Sequence, residues 1–232
     1  MCATVKRGLF ITLEGPEGGG KTSQAKAVIE YLRSLGLKAV YSHEPGGTPL
    51  SEKIRGLLLD PENNMAPLTE LLLFEASRCQ HVQEFILPNL QQGVFVVCDR
   101  FCDSSLAYQG ARGLPVEWVR DLNALCVKGC WPDLTLLLDI GYEAGRERLM
   151  RRYKGEAQSF DRIEREERQF FEALRQNYLQ MAQEDMRSCG DPLLSRWRLV
   201  NAAEGFEAVR EQICGFVRER LQRGGYMSAE QG

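Results

Sequence analysis

The chain has 232 residues, 44% hydrophobic and 26% charged, with a formal net charge of −3. This composition belongs to a folded globular protein and excludes a disordered chain. The mild acidity argues against a nucleic-acid polymer as partner, although local arginines still suit a small phosphorylated ligand. No run approaches the roughly 18 apolar residues of a membrane helix. The apolar stretch Gly8–Leu13 is too short for a signal peptide and runs into Glu14. A cytoplasmic protein without membrane contacts is expected. Eight cysteines are scattered without a C-x-x-C pair, and there are only two histidines, so reduced thiols are expected rather than a zinc site.

Short apolar runs alternate with longer amphipathic segments. In chain order the pattern predicts a strand at Leu9–Leu13, a helix at Lys21–Ser34, a strand at Ala39–Ser42, and helices at Leu50–Leu58 and Thr69–Leu90. A strand at Val94–Cys98, a helix at Val116–Cys126, a strand at Leu134–Ile140 and a helix at Tyr142–Arg152 follow. Helix Glu164–Met186, strand Arg198–Val200 and helix Phe206–Leu221 complete the series. Alternating strands and helices imply βαβ units around a parallel sheet, with right-handed crossovers placing helices on both faces. A single domain over residues 1–223 is expected, and the small, polar residues 224–232 are expected to fray. Such sheets bind ligands beyond the carboxyl ends of their strands, here just after Leu13, Ser42, Cys98 and Ile140.

The unusual residues fall at those ends. Gly15-Pro16-Glu17-Gly18-Gly19-Gly20-Lys21-Thr22 matches G-x-x-x-x-G-K-[ST] between an apolar run and a helical pattern, the context that a phosphate-binding P-loop requires. Glycines let backbone N–H groups face phosphate, and the helix N-terminus adds positive potential. Lys21 is expected to reach the β- and γ-phosphates, and the Thr22 hydroxyl to ligate magnesium. The N-K-x-D pattern of GTP-binding switches is absent. Asp99 ends the third strand, where P-loop proteins hold magnesium through water, and Arg100 beside it is placed to bind phosphate.

Six segments then appear in one order: Leu13–Thr22, Glu44–Thr48, Phe74–Arg78, Asp99–Gly110, Pro132–Leu134 and Asp161–Glu164. With these the chain resembles thymidylate kinases of the bacterial type, in the nucleoside monophosphate kinase family. The resemblance implies an α/β P-loop NTPase three-layer sandwich, with a five-stranded parallel sheet, helices on both faces and a short lid. It implies transfer of the γ-phosphoryl group of ATP to dTMP, with Mg2+, in a homodimer. Other readings are a P-loop kinase for another nucleotide or nucleoside, or a non-catalytic binding protein. The resemblance makes Phe74 the stacking partner of thymine and Arg78 a hydrogen-bond donor to the base. It gives Arg100 the acceptor's phosphate, places Glu17 near the acceptor's sugar and phosphate, and makes Pro45 a wall. Ser104, Ser105, Tyr108 and Gln109 would line the nucleoside pocket. The residue before Glu44 is commonly Arg in the family and is His43 here.

The P-loop positions Pro16, Glu17, Gly18 and Gly19 carry no cation, and the resemblance implies that arginines of a lid, here at about residues 145–160, then stabilise the charge of the moving phosphoryl group. On a helix Arg148, Arg151 and Arg152 share a face at i, i+3 and i+4, and all three are candidates for the catalytic cation. Gly155 is a candidate hinge.

Overall fold

The computed structural model describes residues 6–191 and 194–227. Its strands are β1 (Phe10–Glu14), β2 (Ala39–His43), β3 (Phe95–Asp99), β4 (Leu134–Asp139) and β5 (Trp197–Asn201). They form one sheet in the order β2-β3-β1-β4-β5, with every pairing parallel. The near-continuous apolar runs have a physical reason, since a parallel sheet is covered on both faces. Side chains alternate between those faces. Ile11, Leu13, Val97, Leu136 and Leu138 join one core with α1 (Lys21–Ser34) and α9 (Phe206–Arg223). Phe10, Val96, Cys98 and Leu137 point the other way. There they meet the stretch Val82–Ile86 and α4 (Leu87–Gln91), which continue α3 (Pro67–His81), and α5 (Cys102–Ala111), α6 (Val116–Val127) and α8 (Arg168–Ser188). Each such fully buried aliphatic or aromatic side chain contributes about 1.5–3 kcal/mol. Two further helices lie at the edge of the ligand side, α2 (Pro49–Leu59) and α7 (Tyr142–Arg152).

Three expectations are corrected here. The long helix expected over 69–90 is interrupted by a π-helical stretch at Val82–Ile86. Pro88 lacks an N–H, and its ring would strike the carbonyl of Glu84 in a regular α-helix; the wider turn relieves both problems. The helix expected from Glu164 starts at Arg168 instead. Asp161 Oδ1 accepts from the amides of Ile163 and Glu164 at 2.9 Å each, and Glu164 Oε2 accepts from the Asp161 amide at 3.1 Å. These bonds form a capping box around a single turn, closed by the Arg165 amide on the Asp161 carbonyl, that ends before α8 begins. Residues 224–227, expected to fray, fold back: the Tyr226 ring meets Phe95 edge-on at 5.0 Å and its hydroxyl donates to the Arg7 carbonyl. Residues 228–232 lie outside the described residues.

Candidate active site

The P-loop follows β1 directly. At Gly15 (φ +133°) an added Cβ would lie 2.4 Å from the Leu138 carbonyl oxygen, and at Gly18 (φ +78°) 2.3 Å from that of Gly145. Only glycine lets the loop rest on both β4 and α7. Gly19 closes the turn through its amide to the Pro16 carbonyl, and Gly20, in the left-handed region, hands the chain to α1. Lys21 is buried, and its ammonium donates to the carbonyls of Gly15 (3.0 Å) and Pro16 (2.8 Å). Burial, then the Arg100 charge, pushes it down to about 8, against the opposing pull of Glu17, Asp99 and Glu14. The Thr22 hydroxyl donates to Asp99 Oδ2, so the two residues assigned to magnesium are already in contact.

Arg100 holds φ = 71°, a conformation that non-glycine residues adopt at a cost on the order of 1–3 kcal/mol. Neighbours over-determine it. The Arg100 amide donates to the Leu13 carbonyl at 2.9 Å. Glu14 Oε1 accepts from the Phe101 amide at 2.8 Å. Glu14 Oε2 accepts from the hydroxyls of Ser104 (2.7 Å) and Tyr178 (3.0 Å). Burial, then the nearby Asp103, pushes the Glu14 carboxyl up to about 7. The Arg100 guanidinium donates to the Gly15 carbonyl, to Ser104, to Tyr178 and to the Glu17 carboxylate. Burial alone would raise the Glu17 pKa, but Arg100, Lys21 and the Tyr108 hydroxyl, which donates at 2.9 Å, hold it at about 2.

These groups share a cavity of about 770 Å³. Gly18, Gly20, Lys21 and Thr22 of the P-loop line it, together with Glu17, Asp99, Arg100 and Ser104 and with Pro45, Phe74, Ser105, Tyr108 and Gln109. The structure thus brings together residues from three strand ends and from α3 and α5.

Two of the expected site residues stand apart. Arg78 does not line the cavity. It is 1% exposed and donates to Glu44 and Glu75, to Ser105 and Asn123, and to the Phe101 carbonyl. Burial would weaken its charge, but the two carboxylates push its pKa well above the usual value. Its partners come from four segments, at Glu44, Glu75, Phe101–Ser105 and Asn123, so it ties Ser105 and Glu44 to α3. Arg151 also stands outside. Arg148 and Arg152 line the cavity, whereas Arg151 pairs with Glu147 at 2.6 Å on the exposed side of α7. Spacing puts the three on adjoining rows, but α7 turns only two of them inward. Arg148 donates to the carbonyls of Gly18 (3.4 Å) and Glu204 (3.1 Å), and Arg152 lies 3.6 Å from Glu164. His43 lines the cavity, 3.0 Å from Glu52, with its pKa lowered by burial and by Arg55.

Sequence reading missed Tyr178, Arg55 and Glu70, and gave Glu14 no role. Glu14 borders the P-loop motif, a local signal; Tyr178 and Arg55 sit on ordinary amphipathic helices with no such mark.

A family model described as thymidylate kinase matches residues 13–213. The chain belongs to the thymidylate kinase family. It is 49% identical over 179 residues to a thymidylate kinase of Halothermothrix orenii, covering 77% of this chain and 86% of that protein. It is 46% identical over 218 residues to one of Pseudomonas putida, covering 93% and 98%. The crystal structure of thymidylate kinase from Ehrlichia chaffeensis superposes with a TM-score of 0.70 at 28% identity, covering 91% of this chain and 99% of that one. The five-stranded parallel sheet with helices on both faces is thus the P-loop fold that the motifs imply.

Proposed function

We propose that the protein transfers the γ-phosphoryl group of ATP to dTMP, giving ADP and dTDP. The observation that carries this is that one cavity is lined by the P-loop, by Arg100 and by Phe74, Tyr108 and Gln109. A triphosphate bound at the loop and a monophosphate bound at Arg100 would meet in the middle. An aromatic face and a few polar groups suit a planar base. The relatives' names supply the choice of thymine.

The chain's own groups divide the work. Lys21 and the loop amides take the β- and γ-phosphates. The incoming nucleophile is an oxygen of a phosphate that is already ionised, so no general base is required. Glu17, fully charged at neutral pH with a pKa of about 2, is suited to orienting Arg100 and Tyr108, not to removing a proton. Arg148 and Arg152 supply the lid cations at residues 145–160, and closure of this segment excludes water. Magnesium fits the Thr22–Asp99 pair, because the ion keeps most of its water and phosphate ligands and needs few from protein. When bound it would neutralise charge on the phosphates. A cytoplasmic enzyme is consistent with the described residues, none of whose helices is long and apolar enough to cross a membrane. Homodimerisation would cover Leu68 and Leu72 on α3 and Trp118 and Leu125 on α6, which are 42–71% exposed.

The test is Lys21→Ala in an ADP-release assay with dTMP and magnesium-ATP. Turnover should be almost lost while the far-UV spectrum is unchanged. Near-normal turnover at saturating ATP would defeat the assignment.

A further inference from the structure

Gln109 is fully buried on α5 and lines the cavity. Its amide nitrogen donates to Glu70 Oε1 at 2.8 Å, and its amide oxygen has no partner among the described residues. A buried acceptor without a donor is costly unless a ligand supplies one. Glu70, on α3, is itself 1% exposed. Arg112 Nε donates to its Oε1 at 2.7 Å, and Arg162 Nη2 lies 2.5 Å from its Oε2. Arg112 is braced in turn by Glu166 at 2.7 Å. A carboxylate between two guanidinium groups only accepts hydrogen bonds. Turning the Gln109 amide over would therefore set its oxygen against a carboxylate oxygen. The polarity of this amide is fixed by Glu70.

We propose that Glu70 is a positioning residue that holds Gln109 as a hydrogen-bond acceptor toward the base, and thereby selects a pyrimidine with N–H at ring position N3 over one with a lone pair there. This rests on the reading that dTMP is the acceptor. Thymine offers an imide N–H between two carbonyls. Cytosine offers a bare N3, which the Gln109 oxygen repels while remaining unsatisfied itself. Sites built to bond a ligand N–H reject analogues that lack it far more strongly than apolar pockets reject a missing methylene. Arg162 comes from the turn that follows the lid, so the carboxylate that orients the amide is also tied to the lid's base.

The experiment compares kcat/KM for dTMP and dCMP in the wild-type enzyme, Glu70→Gln, Gln109→Leu and the double variant. The Glu70→Gln amide can donate to the Gln109 oxygen and so permits the flip. The dTMP-over-dCMP preference should fall roughly 10–100-fold in Glu70→Gln, the range expected when one buried hydrogen bond is reversed. KM for ATP should stay within about twofold, since Glu70 touches Gln109 and does not line the cavity with the P-loop. In the Gln109→Leu background Glu70→Gln should have no further effect on the ratio, which a merely structural role would not produce. If Glu70→Gln does not fold, Glu70→Asp is read by the same ratio, because it keeps the charge for the arginines but withdraws the acceptor. A wild-type ratio in the folded Glu70 variant, or an equal fall in both backgrounds, overturns the positioning role. A wild-type enzyme that does not prefer dTMP overturns the dTMP reading and this inference with it.

Discussion

If the cavity-facing lid arginines stabilise the phosphoryl group, removing them must cost turnover and little else. Arg148 reaches over the P-loop to the Gly18 carbonyl at 3.4 Å, a long contact, and to the Glu204 carbonyl at 3.1 Å. Arg152 is 65% exposed and is tethered only loosely, at 3.6 Å from Glu164. Contacts of this kind contribute about 0–1 kcal/mol each, so losing all three in Arg148→Ala plus Arg152→Ala should lower stability by no more than about 3 kcal/mol. Their effect on the reaction is of another size. A cation that meets the phosphoryl group chiefly in the transition state is worth on the order of 10³-fold in kcat, with KM little changed. Arg151 provides the internal control, because it is the same residue type on the same helix but faces Glu147 on the outer side of α7. Steady-state ADP release at saturating ATP and dTMP, with a denaturant midpoint for each variant, separates these effects. The double variant should lose about 10³-fold in kcat, with Lys at either position rescuing only part, and Arg151→Ala should stay within about twofold. Wild-type turnover in the double variant, or an equal loss in Arg151→Ala, would refute the assignment of the lid cations.

Two further outcomes follow from burial. Arg78→Ala leaves the Glu44 and Glu75 carboxylates buried without their cation and should cost about 3–5 kcal/mol of stability, read from denaturant midpoints; an unchanged midpoint contradicts the structural role given to Arg78. Lys21 titrates near 8, and a polyphosphate favours its charged form, so ATP binding takes up a proton around and above that pH. The KM for ATP should therefore be flat below pH 8 and rise above it by up to about tenfold per unit; a flat profile to pH 9.5 contradicts this.

The parts of this molecule that were legible in its sequence are those set by local chemistry. The P-loop announces itself because close approach of Gly15 to β4 and of Gly18 to α7 demands glycine at fixed spacing. The strands are legible because a sheet covered on both faces needs unbroken apolar runs, and α1 and α7 begin and end where periodicity places them. What periodicity does not give is the phase of a helix against its neighbours. Arg148 and Arg151 lie one turn apart, yet only contact with the P-loop decides that Arg148 turns inward. Arg78 is decided by partners up to 45 residues away, at Glu44, Ser105 and Asn123, none of them implied by its own surroundings. The turn at Asp161–Glu164 carries a capping box, visible as a D-x-x-E pattern, but hydrophobic spacing does not show that this turn ends before α8.

The central claim is that one cavity joins a phosphoryl donor at the P-loop to a thymidine monophosphate at Phe74, Tyr108 and Gln109. Its most direct test is magnesium-ATP-dependent ADP release across dTMP, dUMP, dCMP, dAMP and dGMP under identical conditions. The account predicts the highest kcat/KM for dTMP, with dUMP, which keeps the imide N–H, second. A higher value for any purine monophosphate or for dCMP, or no release with any of the five, would contradict it.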